Sequence, residues 1–366
     1  MIEKNDRQTG SLRLIGDIET VMRIREHGYE NGHLIFRGDL KISPARAARF
    51  LIIRLRRYGF TPFLSREEQK EEGVCIRIAP LKKRDPRRRP FLHLSLFVAT
   101  FFTTLIAWSW VNEHPFSEIL SHPRVLAEGL PFSLSLLVIL GLHELSHYFI
   151  SRYHGIKVSL PYFIPFPNIL GTMGAVIVGR SAFVDRKSLF DVGIAGPLAS
   201  FFLSIIALWF GLQSSAIVRP VITSRTIFIG ESFLYHYICR LRFPSVPPGY
   251  TYSVTPMMFA GWVGLFVTAL NLLPMGQLDG GHISYALFGK RHRKISIAVM
   301  VGITLIGLIF GSLIWILIGI LVLVLGPGHT PPLDDITPLG PVRISLAVFA
   351  LLILLACFTP VPLAVY

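Results

Sequence analysis

The chain has 366 residues, of which 52% are hydrophobic and only 16% are charged, and its mean hydropathy is +0.55. Soluble globular proteins carry about 25% charged residues, so this composition argues against a wholly soluble protein. A net charge of +14 raises the question of nucleic-acid binding. However, the densest basic cluster, at residues 82–89, directly precedes an apolar segment, as basic residues do at the cytoplasmic end of a membrane span. We therefore expect no nucleic-acid partner.

The first ninety residues differ in composition from the rest. They hold 21 of the 36 Lys and Arg residues and 12 of the 22 Asp and Glu residues. Residues 1–84 are therefore predicted to form a small soluble α/β domain, which a basic, proline-rich linker at 85–90 joins to the remainder. The predicted elements of this domain are short strands at 34–40 and 74–79 and a helix at 44–58, the latter from its apolar period.

The three cysteines, Cys75, Cys239 and Cys357, lie far apart in the sequence and form no CxxC pair. This spacing predicts neither a disulfide framework nor a sulfur-ligated metal site. The N-terminus lacks the basic-then-apolar pattern of a signal peptide, so we expect the first apolar segment to remain as an uncleaved anchor.

Residues 91–366 are predicted to form an all-α polytopic membrane domain, since a helix needs about 20 apolar residues to cross a bilayer. The apolar run at 295–325 is long for one helix and short for two, and a break is expected between Gly307 and Gly311. The domain then has six or seven transmembrane helices. The predicted spans are 91–111, 130–152, 191–212, 255–274, 295–325 as one or two helices, and 342–358.

Residues 158–178 are apolar but contain three prolines and two glycines, Gly171 and Gly174. Proline at this density stops a helix, and glycine suits bends and bulges. Irregular backbone survives at membrane depth only where protein or a wet cavity satisfies it. We therefore predict a re-entrant, β-like hairpin that lines a site.

The basic residues also predict the orientation of the spans. If residues 82–89 are cytosolic, the loop at 112–129 is external and residues 152–186 are cytosolic. Residues 213–254 are then external, although their four arginines run against the rule. The prediction is a multi-pass protein of the cell membrane, with the N-terminal domain and the mouth of the site in the cytosol.

Chemistry is concentrated in the second predicted span, which contains His143, Glu144 and His147 in an HExxH motif. On a helix, positions i and i+4 share one face, so both imidazoles can bind one zinc ion. Glu144 is one step around the helix and can serve as general base. Ionisable groups inside a membrane span are costly, by about 2.5–3.5 kcal/mol each on insertion scales, and are usually functional.

Catalytic zinc usually has three protein ligands, so a third is required. Asp279 is the best candidate, because Pro274 and nearby glycines end the fourth span there and bring it to the cytosolic side, like His147. His282 is a weaker candidate, and Glu231 falls on the opposite side.

These residues resemble the paired signature of site-2 proteases, peptidase family M50. The resemblance covers residues 130–289 and includes the HExxH motif, the pattern from Asn271 through Pro274 to Asp279, and Gly196–Pro197. Gly171 and Gly174 are similar to the glycine-rich hairpin of archaeal and chloroplast members. Unlike other branches of that family, the chain has no segment of PDZ size between its motifs.

The resemblance implies an intramembrane zinc metalloprotease that cuts transmembrane protein substrates within or beside the bilayer. It makes His143, His147 and Asp279 the zinc ligands and Glu144 the catalytic base, with Gly171, Gly174 and Asn271 beside the substrate. A membrane metal transporter and an inactive sensor are the alternatives. The sequence predicts neither the substrate nor the oligomeric state.

Overall fold

The structure is a computed structural model that describes residues 14–30, 32–67, 73–81, 90–112, 114–115, 118, 121–179, 181–220 and 227–365. These residues fall into two compact units. The first combines the N-terminal residues with two later segments, Arg180–Leu189 and Thr330–Gly340, and the second holds the remaining residues. The predicted basic linker at 85–90 lies outside the described residues except for Pro90, as does the basic cluster at 82–89.

The first unit contains a four-stranded antiparallel sheet of order β1-β2-β4-β3. The predicted helix and both predicted strands are present, and β1, β3 and α1 were not predicted. Pro62 lies in β3, at the edge of the sheet, where a strand tolerates the missing N–H of proline. The elements are α1 (14–21), β1 (Met22–Glu30), β2 (His33–Leu40), α2 (Pro44–Arg57), β3 (Phe60–Arg66) and β4 (Val74–Pro80).

Two segments from much later in the chain complete this unit. The Leu64 amide of β3 donates to the carbonyl of Leu333 at 2.7 Å, and the Asp335 amide donates to the carbonyl of Leu64 at 3.0 Å. Arg186 pairs with the buried Asp335 at 2.8 Å. Ile336 packs against the hydrophobic core, which α1, α2 and the sheet build. The first unit is therefore not contiguous in sequence.

The second unit is helical. Within the part of the chain that the structure describes, four helical segments are long and apolar enough to cross a membrane: α3, α5, α6 and the continuous segment from α9 through α10. The apolar helices α8, α11 and α12 are shorter. The helices are α3 (Pro90–Val111), α4 (Pro123–Glu128), α5 (Leu130–Tyr153), α6 (Arg186–Gln213), α7 (Phe233–Arg242), α8 (Pro256–Leu272), α9 (Asp279–Phe288), α10 (His292–Phe310), α11 (Leu313–Leu325) and α12 (Pro341–Cys357).

The apolar run at 295–325 divides at Gly311, which ends α10 in the left-handed conformation with φ 67°. Glycine adopts this conformation without the steric cost that other residues incur. The break therefore lies at one end of the predicted interval, Gly307 to Gly311. The number of membrane crossings, six or seven, stays a prediction.

The described residues of the second unit also form three short antiparallel ribbons. The first joins β5 (Tyr162–Pro165) to β6 (Thr172–Val176), within the segment predicted to be a hairpin. Its Phe163 ring contacts Phe97 of α3 edge-on, with ring centroids 5.1 Å apart. The other two ribbons pair β7 (Ile217–Val218) with β9 (Thr251–Tyr252) and β8 (Ile227–Ile229) with β10 (Leu363–Val365).

Candidate metal centre

Two histidines of α5 form one side of a buried site. His143 and His147 are 4% and 5% exposed, and they lie one helical turn apart, on the same face. Their imidazole rings meet edge-on, with centroids 4.7 Å apart. The HExxH spacing thus produces the predicted juxtaposition, because residues four apart on an α-helix are neighbours.

Asp279 closes the site from the other side. It is the first residue of α9, directly after the turn that follows α8. Its Oδ2 atom lies 3.2 Å from His143 Nε2 and 3.3 Å from His147 Nε2. The structure therefore brings together the three residues that the sequence proposes as metal ligands, across more than 130 positions of the chain.

The three ligand atoms fit a tetrahedral zinc ion. His143 Nε2 and His147 Nε2 are 3.1 Å apart, so the triangle that they form with Asp279 Oδ2 is nearly equilateral. Tetrahedral bonds of about 2.0–2.1 Å set ligand atoms about 3.3–3.4 Å apart. Among the described residues, this is the only cluster of three or more His, Cys, Asp or Glu with a compatible arrangement.

The second ring nitrogen of each histidine has its own partner. His147 Nδ1 donates to the Val192 carbonyl at 2.7 Å, and His143 Nδ1 hydrogen-bonds Ser200 Oγ at 3.1 Å. Ser200 in turn hydrogen-bonds Thr268 of α8 at 2.8 Å. Such contacts fix the tautomer that leaves Nε2 free for a metal. The sequence analysis did not identify Val192, Ser200 or Thr268.

Gly196 makes room for the two imidazoles. A Cβ atom at this position would lie 2.2 Å from His147 Nε2 and 2.8 Å from His143 Nε2. Any side chain here would therefore occupy the space between the ligand atoms. The Gly196–Pro197 pair of the sequence is explained by this close approach of α6 to the site.

Glu144 and Asn271 also border the ligand triangle. Glu144 is 8% exposed, and the backbone amide of Ile177, just after β6, is within hydrogen-bonding reach of its carboxylate. Asn271 of α8 places Nδ2 3.4 Å from His143 Nε2. A buried carboxyl group, a polar amide and the end of a strand thus meet at one place.

The two hairpin glycines have different surroundings. Both have positive φ, 73° for Gly171 and 98° for Gly174. A Cβ on Gly171 would lie 2.3 Å from the Thr103 carbonyl oxygen of α3, whereas one on Gly174 would meet nothing within 4 Å. The Gly174 amide donates to Thr172 Oγ1 at 2.9 Å. Gly171 therefore seats the hairpin on α3, and Gly174 borders open space.

The two other ionisable candidates lie outside the triangle. His282 Nδ1 hydrogen-bonds His329 Nε2 at 2.7 Å. Glu231 accepts hydrogen bonds from Tyr252 and from His236, the latter at 2.6 Å. The preference for Asp279 over these two residues agrees with the geometry.

Residues 131–314 match the family model of Peptidase family M50. A protein of Oryza sativa subsp. indica named probable zinc metalloprotease EGY2, chloroplastic, is 28% identical over 355 residues, which is 94% of this chain and 64% of the relative. One of Arabidopsis thaliana named probable zinc metalloprotease EGY1, chloroplastic, is 35% identical over 262 residues, 68% of this chain and 46% of the relative. The chain thus spans less than two thirds of their lengths. No solved structure matches it significantly.

Proposed function

Because the chain belongs to peptidase family M50, we propose that it is a zinc metalloprotease that hydrolyses peptide bonds of membrane proteins within or beside the bilayer. The observation that carries the proposal is the triangle of His143, His147 and Asp279 atoms, 3.1–3.3 Å apart, with Glu144 beside it. These residues lie on or next to helices long and apolar enough to span a membrane.

The residues divide into metal ligands and a base. His143, His147 and Asp279 would hold the zinc ion, which when bound polarises the scissile carbonyl and lowers the pKa of water. Glu144 is too far around the helix to complete the triangle. It takes the proton of the attacking water and passes it to the departing amine.

The hairpin supplies a place for an extended substrate. Helical substrates hide their carbonyl groups, so the segment to be cut must unwind and find new backbone partners. The side chains of Met173 and Val176 on β6 are 65% and 45% exposed, and the strand leads directly to the Ile177 amide at Glu144. We propose that substrate pairs with β6 by strand addition, with Asn271 donating to a substrate carbonyl.

The proposal extends to the arrangement of the chain in the membrane. We propose six or seven crossings, a hairpin that re-enters the bilayer, and a cytosolic N-terminal domain. The cell membrane is the proposed location, while the plant relatives carry chloroplastic in their names. Transmembrane proteins are the proposed substrates.

The test uses full-length protein and its Glu144→Gln variant, expressed in cells that lack the gene. Zinc is measured by mass spectrometry of the purified proteins, and new N-termini in membrane proteins are sequenced from the cells. We expect one zinc per chain in both proteins, and new N-termini inside apolar segments with the wild type alone. The same cleavage sites with Glu144→Gln would refute the proposed role of Glu144. Zinc without any cleavage in either protein would favour an inactive sensor.

A further inference from the structure

Helix α7, Phe233–Arg242, has an unusual distribution of apolar residues. Tyr235, Ile238 and Cys239 are at most 5% exposed, and the helix packs against α12 through its buried side. Burial raises the pKa of the Cys239 thiol to about 11. One face of α7 is thus fully accounted for by packing within the second unit.

The opposite face of α7 is also apolar, but it is exposed. Phe233, Tyr237 and Leu241 are 74%, 54% and 56% exposed. Their spacing of four residues aligns them in one stripe along the helix. Three large apolar side chains in a row at a water-exposed surface are unfavourable, so this stripe needs an apolar medium or partner.

Basic residues accompany the stripe. Arg240 lies two helical turns after Phe233, on nearly the same side of the helix. Arg242 is the last residue of the helix. The Arg242 guanidinium lies 4.8 Å from the centroid of the Phe243 ring. Neither arginine has an acidic partner within ion-pair distance among the residues that the structure describes. The surface therefore combines an apolar stripe with unpaired positive charge.

The position of α7 follows from its contacts with Tyr252 of β9. The Tyr252 hydroxyl donates to Glu231, just before α7, and the Tyr252 ring stacks on Phe243, just after it, at 6.1 Å. One residue thus contacts the segments that flank the helix on both sides. β9 and its partner β7 lie where α6 ends and α8 begins, so the residues that flank α7 are held at that end of the two helices.

We infer that α7 lies in the membrane–water interface, with Phe233, Tyr237 and Leu241 among the lipid chains and with Arg240 and Arg242 bound to the phosphate groups of anionic lipids. Interfacial helices combine an apolar face with basic residues in this way. The inference also explains why residues 213–254 carry arginines on the side predicted to be external. Two of these four arginines, Arg240 and Arg242, then bind lipid headgroups and do not determine the orientation of the spans.

Lipid retention tests the basic part of the surface. Full-length protein is purified with equal amounts of phosphatidylglycerol and phosphatidylcholine, and the bound lipids are counted by native mass spectrometry. The double variant Arg240→Ala/Arg242→Ala should lose preference for phosphatidylglycerol by about an order of magnitude. Arg219→Ala, with one external arginine removed beside Tyr250, is the control and should keep it. Arg240→Lys/Arg242→Lys should also keep it. Equal losses in the double variant and the control would overturn the inference.

Fluorescence quenching tests the apolar stripe independently. Tyr237→Trp protein is placed in vesicles whose lipids carry bromine near the headgroup end of the acyl chains. The added fluorescence, taken as the difference from the parent protein, should be quenched by the brominated lipid and protected from aqueous iodide. Quenching by iodide alone would show that the stripe faces water or a protein partner, and the lipid assignment would then be wrong.

Discussion

The Cα atom of Gly196 faces the imidazole of His147 so closely that a methyl group there would lie 2.2 Å from Nε2. The glycine thus limits the volume of the candidate metal site without contributing a ligand atom. Its neighbours cannot retreat, because His147 Nδ1 is held by the Val192 carbonyl of the same helix, α6.

Gly196→Ala should therefore empty the site. We expect zinc affinity, measured by competition with a chelator, to fall by about 100-fold, at the upper end of what changes around metal ligands cause. Alanine is the better helix former, so helix propensity does not oppose the change. Gly302→Ala, in an apolar helix with open space around its Cα, is the matched control and should keep full zinc. Normal zinc affinity in Gly196→Ala would show that α6 shifts freely.

Asp279→Ala should remove the third ligand. The protein is expected to lose most of its zinc, because two imidazoles alone leave a catalytic site incomplete. His282→Ala, three residues further along α9, should keep zinc, since His282 faces His329 instead. Metal analysis of both purified variants decides the matter. The reverse pattern would assign the third ligand to His282.

The Ser200 hydroxyl should support zinc binding because it orients the His143 imidazole. Ser200→Ala leaves His143 Nδ1 without its partner, and we expect zinc affinity to fall by about 10-fold to 100-fold. Ser204→Ala is the matched control, because Ser204 is equally buried one turn away and its hydroxyl donates a hydrogen bond to the backbone carbonyl of Ser200. Both variants should lose similar thermal stability. If zinc affinity fell equally in both, Ser200 would be a packing residue.

The hairpin glycines should respond differently to valine. Gly171→Val places a side chain against the Thr103 carbonyl and should lower thermal stability, zinc content and cleavage together. Gly174→Val meets open space, so its cost is the left-handed backbone, on the order of 1–3 kcal/mol. We expect it to retain zinc and to reduce cleavage. Parallel loss of all three properties in both variants would contradict a role in substrate binding.

The Ile177 amide offers a sharper test of the strand end. Ile177→Pro removes the donor that faces Glu144 and should reduce cleavage about 10-fold or more, as loss of a positioned contact does, while zinc remains bound. Ile177→Val is the control and should behave like the wild type. Unchanged cleavage by the proline variant would separate this amide from the reaction.

The juxtaposition of His143, His147 and Asp279 could be predicted from the sequence because it depends on local signals. HExxH fixes two imidazoles on one helical face, and the proline and glycines after α8 place Asp279 at a helix start. Ser200 and Thr268 gave no comparable signal. Hydroxyls in apolar helices commonly bond their own preceding turn, and only the packing of α6 on α8 joins these two to His143.

The parts of the fold that were missed depend on distant partners. β3 contains Pro62, which argues against a central strand, and its edge is completed by residues near 334. No local pattern indicates that pairing. Helix α7 was not predicted, because apolar residues on both of its faces hide the single-sided period that indicates a helix.

The pairing of Leu64 with Leu333 and Asp335 has a consequence for biosynthesis. The β3 edge leaves the ribosome about 270 residues before its partners do, a delay on the order of 15–50 s at ordinary rates of translation. During that time all four described helical segments that are long and apolar enough to cross a membrane are synthesised, and an open strand edge is a site for wrong association. The sheet that begins first is therefore among the last parts of the molecule to be completed, and a ribosome-bound chaperone or early membrane contact would have most effect in that interval.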